Sequence, residues 1–460
     1  MFCGAPNKNK ECQEEEIMKK KVAAVVCMTI LAVSLASCGN NETSAKNEKK
    51  QAADTESEGE TLTVWTWDPN FNMYAIEKAA EIYREAGHEG FSVEITEVSS
   101  TDVETKLITA AESGELSTLP DVFMLRDESF EKFVKNYPEL FYDLTDSGIV
   151  FSEFAPAKTA YSTVEGKNMG IPFDSGTVIN CVRTDILEEA GFTVDDFTDI
   201  TWTEFIEKAE VVKEKTGLPM LCQQAGEPSL IMMMLQSCGA SVFQQDGTLN
   251  ILENNILKEC MELYKEMVDK GILLEVTAWD QYVSALNNGS VAGCCNGCWV
   301  IGSITAAEDQ KGKWAVTNIP RLDDTEGAVN YSNNGGSSWV ISSQCKDPEL
   351  AVDFFKTTFA GSMELYDDVL SKGVLSSWKN AGESDVYNQE LTFFQNDAVY
   401  KKIVDYSGKV PLNISGQYYF DAANAIGVGL TNYIQRDENL NDIIQSINDE
   451  LTFIIDSSEN

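Results

Sequence analysis

The sequence predicts an α/β fold built as two lobes. Strand-like and helix-like stretches alternate along the chain, no linker-like segment divides its main body, and its 460 residues exceed the length of one typical domain. With 43% hydrophobic and 10% aromatic residues, the chain can bury a large core. Two lobes joined by several chain crossings fit these observations better than separate domains in series.

The first elements follow a strand-helix-strand order. Five segments show it: a strand at 62–67, an amphipathic helix at 73–86, a strand at 91–98, a helix at 102–111 and an apolar strand at 120–125. The first helix stops before Gly87, as expected of a helix end. The continuous apolar run of the last strand (PDVFML) is typical of a strand buried on both faces. The order predicts βαβ crossovers.

Four longer helices are predicted further along the chain, at 201–214, 256–270, 348–359 and 440–455. Thr201 or Thr203 can cap the first, which carries acidic residues in its first turn. Gly271 ends the second, and Pro348 occupies the first turn of the third.

The composition excludes several classes of function. The chain has 74 Asp and Glu against 34 Lys and Arg, a net charge of -40, which argues against nucleic acid as a partner. A single histidine, His88, excludes multi-histidine zinc sites and leaves little room for Ser-His-Asp or Cys-His catalysis. We therefore expect no catalytic residue, no metal and no cofactor.

The amino-terminal region predicts export. Residues 18–37 combine three lysines, a short apolar stretch and small residues, which is the pattern of a signal peptide. Their end, with Cys38, resembles a bacterial lipobox, so Cys38 is expected to carry the lipid (palmitate); an ordinary signal peptide with an incidental cysteine is the alternative. Residues 1–17 are interpreted as a mis-called start, and 38–58 as a flexible tether.

Eight cysteines follow the tether: Cys181, Cys222, Cys238, Cys260, Cys294, Cys295, Cys298 and Cys345. An even number in an exported protein admits disulfides. Most of these cysteines, however, sit in apolar runs where a free thiol behaves as a small hydrophobe, so we expect largely free thiols. The one CxxC, at 295–298, has no second pair or histidine at zinc-site spacing.

Several segments, in order along nearly the whole exported chain, resemble the extracellular solute-binding proteins of ABC importers that take sugars and oligosaccharides. The matching segments are 119–122 (LPDV), 170–176 (GIPFDSG), 185–191 (DILEEAG), 201–205 (TWTEF), 289–299 (GSVAGCCNGCW) and 335–351, which begins with two glycines. Cys181 and Arg183 depart from the family's pattern.

The resemblance implies a two-lobed periplasmic-binding-protein-like (type II) fold with a hinge of three crossovers. The lobes are expected at 59–172 with 317–362, and at 173–316 with 363–460. It further implies hinge closure on a carbohydrate ligand, delivery to the transmembrane subunits of an ABC permease, and a monomer held by its lipid at the extracellular face of a bacterial membrane.

A sugar presents hydroxyls at its ring edge and C–H groups on its faces, so its site needs aromatic surfaces and polar side chains. The candidate ligand contacts are Trp67, Asp68, Asp127, Asp174, Trp279, Asp280, Asn296, Trp299, Gly335, Gly336, Trp378 and Tyr418. Of these, Asp127 and Trp299 match positions where the family contacts ligand. Core or turn roles stay open for Trp67 and Asp68, helix capping for Asp127 and Asp280, and a tight turn for the two glycines.

The leading hypothesis is therefore a carbohydrate-binding receptor without catalysis. One alternative is the same scaffold binding a peptide or a cationic solute, through Trp and Asp side chains. The other is an exported enzyme that cleaves glycosides with two carboxylates.

Overall fold

The computed structural model describes residues 60–69, 71–412 and 415–458. The predicted leader, tether and Cys38 lie outside the described residues. Residues 58–460 form one compact unit.

The strands are β1 Thr61–Thr66, β2 Ser92–Glu97, β3 Val122–Arg126, β4 Thr163–Val164, β5 Lys167–Asn168, β6 Ile171–Pro172, β7 Val178–Arg183, β8 Leu221–Gln224, β9 Leu273–Val276, β10 Gly293–Gly297, β11 Trp314–Thr317 and β12 Ser337–Ile341. The helices are α1 Asn72–Glu85, α2 Ser100–Ser113, α3 Phe130–Asn136, α4 Pro156–Ser162, α5 Thr184–Ala190, α6 Trp202–Thr216, α7 Ser229–Ser237, α8 Asn255–Asp269, α9 Trp279–Asn287, α10 Val300–Thr305, α11 Pro348–Thr357, α12 Met363–Val369, α13 Val399–Ser407, α14 Tyr419–Gln435 and α15 Leu440–Ser458. Within these segments, no helix is both long enough and apolar enough to span a membrane.

The first sheet has five strands in the order β2-β1-β3-β12-β6. Strand β1 pairs in parallel with β2 and with β3, which confirms the predicted βαβ crossovers. Strand β12 returns from much later in the chain and pairs antiparallel with both β3 and β6. The apolar strand β3 is buried over its first four residues, because helices and loops cover both of its faces.

The second sheet has three strands, with β7 between β10 and β11 and antiparallel to both. All six residues of β7 are buried, as expected of a central strand. Strands β8 and β9 form a separate parallel pair. This pair lies beside the second sheet, because β8 contacts β10.

The predicted helices are confirmed, with shifts of a few residues at their ends. Thr201 caps α6 in a capping box with Glu204, since each side chain bonds the other residue's backbone N–H. Asp347 caps α11 just before Pro348. Such caps each stabilise a helix by about 1 kcal/mol, so they fix where the helices begin.

Three chain segments run side by side between the two sheets, and we name them the crossing strip: residues 173–178, 332–337 and 374–377. Val178 N–H donates to Ser332 O at 2.9 Å, and Ser175 N–H donates to Leu375 O at 2.8 Å. The first two segments link strands of different sheets, whereas the third arrives from α12. The lobe boundaries drawn from the sequence stay a prediction.

A single apolar cluster extends into both sheets. It contains Val64 and Trp339 from the first sheet together with Cys181 and Trp314 from the second, all at most 1% exposed. The two sheets therefore share core side chains in addition to the crossing strip.

The eight cysteines of the body are all free thiols, as predicted. Seven are buried, and burial raises the pKa of Cys298 to about 12, so its thiol stays protonated at neutral pH. It donates to Ser175 O in the crossing strip at 3.1 Å. These thiols act as small packing groups.

Titration of a protein starting at residue 58, under denaturing and non-reducing conditions, should give eight thiols. A reductant should leave its melting temperature unchanged, because no disulfide contributes to stability. A lower thiol count that rises to eight after reduction would contradict the free-thiol structure.

Candidate functional site

A cavity of about 670 Å³ opens at the carboxyl ends of β1 and β10. Asp68 follows β1 and Trp299 follows β10, so two of the predicted residues come together here although they are far apart in sequence. The remaining wall comes from Phe71, residues 301–305 of α10 without Ile304, residues 371–373, residues 390–394 and Tyr400. A volume of this size suits a small organic ligand.

Three aromatic rings in contact with one another form what we name the aromatic platform: Trp279, Tyr282 and Trp299. Trp299 lines the cavity, and Tyr282 is buried. The ring of Trp279 stacks on that of Tyr282 with centroids 4.8 Å apart, and it lies 5.6 Å from Trp299. Trp279 remains 41% exposed, so part of its side chain is open to solvent.

Hydrogen bonds with two asparagines hold the aromatic platform in place. Asn296 Nδ2 donates to the Tyr282 hydroxyl at 3.0 Å, and Asn334 Nδ2 donates to Asn296 Oδ1 at 2.8 Å. The indole N–H of Trp299 donates to Asn334 O at 3.0 Å. The predicted Asn296 therefore supports the aromatic rings, and through Asn334 the platform is bonded to the crossing strip.

Asp127 is buried and forms an ion pair with Lys158, while Ser338 Oγ donates to its other oxygen at 2.8 Å. Burial lowers the pKa of Lys158 to about 8, so its ammonium remains protonated at neutral pH. Gly336 covers the pair with a φ of 109°, and a Cβ at that position would collide with Lys158 Nζ. Only glycine fits there.

Asp174 is also buried, and its Oδ1 accepts from both the backbone N–H and the Oγ of Ser337, at 2.9 and 2.8 Å. Asp127 and Asp174 thus both have protein partners in the crossing region. Their predicted contact with ligand stays a prediction.

A second cavity, of about 440 Å³, lies between the carboxyl end of β3 and the segment after β8. Its polar and aromatic lining residues are Arg126, Glu128, Gln224, Glu227, Ser229, Asn334, Tyr419, Phe420 and Asn424. The predicted Gly335 also lines it. Because Asn334 accepts the indole hydrogen bond of Trp299, which lines the first cavity, the two cavities are neighbours.

The other predicted residues lie elsewhere. Trp67 is half-buried against the large apolar cluster, and Asp280 is exposed, with its Oδ1 accepting from Gln281 N–H at 3.0 Å. Trp378 is buried and donates to Glu153 Oε2 at 3.1 Å. Tyr418 lines a different cavity, of about 450 Å³, beside helix α15.

Sequence reasoning missed Tyr282, Asn334 and Glu128; it noted Tyr419 beside Tyr418 but chose only Tyr418 as a candidate contact. Tyr282 follows Trp279 by three residues in a helix, a spacing that places both on one face, so it could have been found. Asn334 precedes the two predicted glycines, and Tyr419 is the direct neighbour of Tyr418. Glu128 could not have been chosen over Asp127 from the sequence, because only the fold shows that Asp127 is the carboxylate paired with Lys158.

Among residues 60–69, 71–412 and 415–458, no group of three or more His, Cys, Asp or Glu side chains is placed to hold a metal ion. The cysteines of the CxxC, Cys295 and Cys298, are both buried.

Comparison with known proteins gives three kinds of match. A family model described as bacterial extracellular solute-binding protein matches residues 78–395. A lactose-binding protein of Rhizobium radiobacter is 37% identical over 351 residues, which cover 76% of this chain and 82% of that protein.

Two solved structures illustrate the structural likeness. The GacH receptor of Streptomyces glaucescens has a TM-score of 0.70 at 18% identity, over 85% of this chain and 97% of that one. An ABC transporter binding protein of B. animalis subsp. lactis, in complex with β-1,6-galactobiose, has a TM-score of 0.69 at 20% identity, over 85% and 96%. These likenesses confirm the predicted α/β, two-lobed periplasmic-binding-protein fold.

Replacing Lys158 by Met should destabilise the protein by about 3–5 kcal/mol, because it leaves the buried Asp127 carboxylate without its partner. Urea unfolding at neutral pH measures the change. Lys167→Met is the control: its side chain is 59% exposed beside Asp143, so the loss should stay under about 1 kcal/mol. Equal losses for both variants would contradict the structural role of the buried pair.

Proposed function

Because this chain belongs to the family of bacterial extracellular solute-binding proteins, we propose that it is the carbohydrate-binding receptor of an ABC importer. The observation that carries the proposal is the aromatic platform, an exposed Trp279 with Trp299 at the edge of a cavity large enough for a sugar.

The chemistry of the first cavity supports a carbohydrate. The open faces of the platform suit the C–H faces of a sugar ring, which are apolar and flat. Asp68, Lys372 and Glu390 line the same cavity and can bond hydroxyls as acceptors or donors. This pairing of aromatic faces with a few polar groups is typical of small-molecule sites.

Among sugars, we propose a β-galactoside as the ligand. The support is the 37% identity to a lactose-binding protein over most of both chains. The fold is also shared with a binding protein solved with β-1,6-galactobiose.

The ligand is proposed to bind between the lobes and to favour their closed arrangement. Asp68 follows a strand of the first sheet and Trp299 follows a strand of the second, so a ligand touching both gains contacts only when the lobes approach. Ligand that binds the closed state more tightly shifts the population toward it. The crossing strip, which carries few chains between the sheets, is the proposed hinge.

The finer biological setting is also part of the proposal. The chain is exported, lipidated at Cys38, held as a monomer at the extracellular face of the membrane, and delivers its ligand to permease subunits without catalysis. The support is the signal and lipobox pattern in the sequence together with the family.

A melting-temperature screen tests the ligand, because a bound ligand raises stability by mass action. Lactose and β-1,6-galactobiose should raise the melting temperature, and calorimetry should then give one site per chain. A shift only with amino acids or polyamines would overturn the carbohydrate assignment. Release of monosaccharides after prolonged incubation would instead establish a glycosidase.

Trp279→Ala should weaken binding of the best disaccharide by about tenfold or more, since it removes an aromatic face from the platform. Its 41% exposure means that the melting temperature should change little. Phe453→Ala is the control, because Phe453 is 72% exposed on α15 and lines none of the described cavities. Unchanged affinity in the Trp279 variant would show that the platform does not bind the ligand.

Cys38→Ser should release the protein from bacterial membranes, because no thioether to lipid can form. Fractionation followed by mass spectrometry measures both the membrane share and the lipid mass on residue 38. A variant that stays in the membrane fraction would show that another segment anchors the chain.

A further inference from the structure

Two helices that belong to different apolar clusters contact each other outside the crossing strip. Helix α3 packs on the first sheet, because Phe130 and Phe133 share a cluster with Leu125 of β3. Helix α14 packs on the second sheet, because Ala422 and Ile426 share a cluster with residues of β7 and β10. Contacts between α3 and α14 therefore connect the two sheets by a route that does not use the crossing strip.

An ion pair is the first of these contacts. Lys132 Nζ on α3 lies 3.8 Å from Asp421 Oδ2, in the first turn of α14. The two side chains remain 33% and 28% exposed, so both charges stay hydrated and the pair can separate without leaving a buried charge. Neither residue lines any of the three cavities described above, so neither is placed to contact a ligand bound there.

A cation–π contact lies next to the ion pair. The guanidinium of Arg126, the last residue of β3, lies 3.9 Å from the ring centroid of Phe420 on α14. On the side of the first sheet, Arg126 donates to Glu104 Oε1 through Nε at 2.9 Å and through Nη2 at 2.7 Å. Its position is thus fixed by one sheet while its flat face covers a ring carried by the other. An aromatic face attracts such a cation.

We propose that these two contacts form a clasp between the lobes, made of Arg126, Lys132, Phe420 and Asp421, which favours the approach of the lobes before ligand binds. The inference rests on the proposed function and concerns its regulation. A ligand that binds only when the lobes have approached has an apparent affinity that scales with the fraction of molecules in that arrangement. The clasp raises this fraction, so charges within the protein strengthen the binding of an uncharged ligand.

The chemistry of the clasp keeps it reversible. Ion pairs and cation–π contacts between partly exposed groups are individually weak, so together they shift the population of approached lobes without locking it. Separation of α3 from α14 returns polar groups to water and leaves both apolar clusters intact. Ligand can therefore still enter and leave.

A charge swap tests the clasp. Lys132→Asp and Asp421→Lys, each alone, place like charges opposite each other and should weaken affinity for lactose or β-1,6-galactobiose, whichever binds better, by about fivefold. Calorimetry at low ionic strength, where screening is weakest, measures the change. The double variant restores an unlike pair and should recover most of the affinity. Asp421→Lys should lower the melting temperature in both backgrounds, because it places a cation in the first turn of α14, so recovered affinity separates the clasp from stability.

Lys167→Asp is the matched control, since it makes the same charge change beside Asp143, 3.4 Å away in the same proposed lobe. It should keep wild-type affinity. Small-angle X-ray scattering of the ligand-free protein gives a second measurement: the radius of gyration should increase in each single variant and return in the double variant.

Single variants with wild-type affinity, or a double variant that binds no better than they do, would overturn the clasp and leave the carbohydrate proposal standing. If the wild type binds no sugar, the proposed function itself fails, and scattering alone decides on the clasp. In that case, equal radii of gyration for the wild type and both single variants would overturn it.

Discussion

The buried ion pair between Asp127 and Lys158 is the contact around which the middle of the molecule is arranged. Two charges withdrawn from water are tolerated only when they are paired and further bonded, and Ser338 supplies an additional bond. The backbone of Gly336 lies against the pair where a side chain could not fit. The ion pair therefore fixes the path of the chain as it enters β12, and with it the place where the crossing strip joins the first sheet.

The aromatic platform is connected to this fixed point through the crossing strip. Asn334, two residues before Gly336, bonds both Trp299 and Asn296, and so connects the aromatic platform to the crossing strip. Adjacent carboxylates consequently have different environments: Asp127 is paired with Lys158, whereas Glu128 lines the second cavity.

Much of the fold could be predicted from the sequence because local patterns are strong. The alternating strand β1, the apolar strand β3 and the capped helix α6 each carry their own signal, and the family resemblance supplied the two lobes. The site was predictable only in part. Trp279, Asn296 and Trp299 are brought together, but which aspartates are free depends on long-range pairing, such as Lys158 with Asp127 and Ser337 with Asp174. Trp378 and Tyr418 are aromatic residues next to polar ones in the sequence, which made them candidates. In the structure they lie outside both neighbouring cavities, and the local sequence contains no sign of this.

The apolar cluster that reaches into both sheets sets a limit on recombination of this chain with its relatives. Val64 and Trp339 pack in the same cluster as Cys181 and Trp314, so the shapes of these side chains must fit one another. A chimera that takes one lobe from a relative would place unmatched side chains at this seam, where even small changes in volume are felt. Exchange of the loops at the cavity edges would leave this seam intact, because Val64, Trp339, Cys181 and Trp314 all lie in strands.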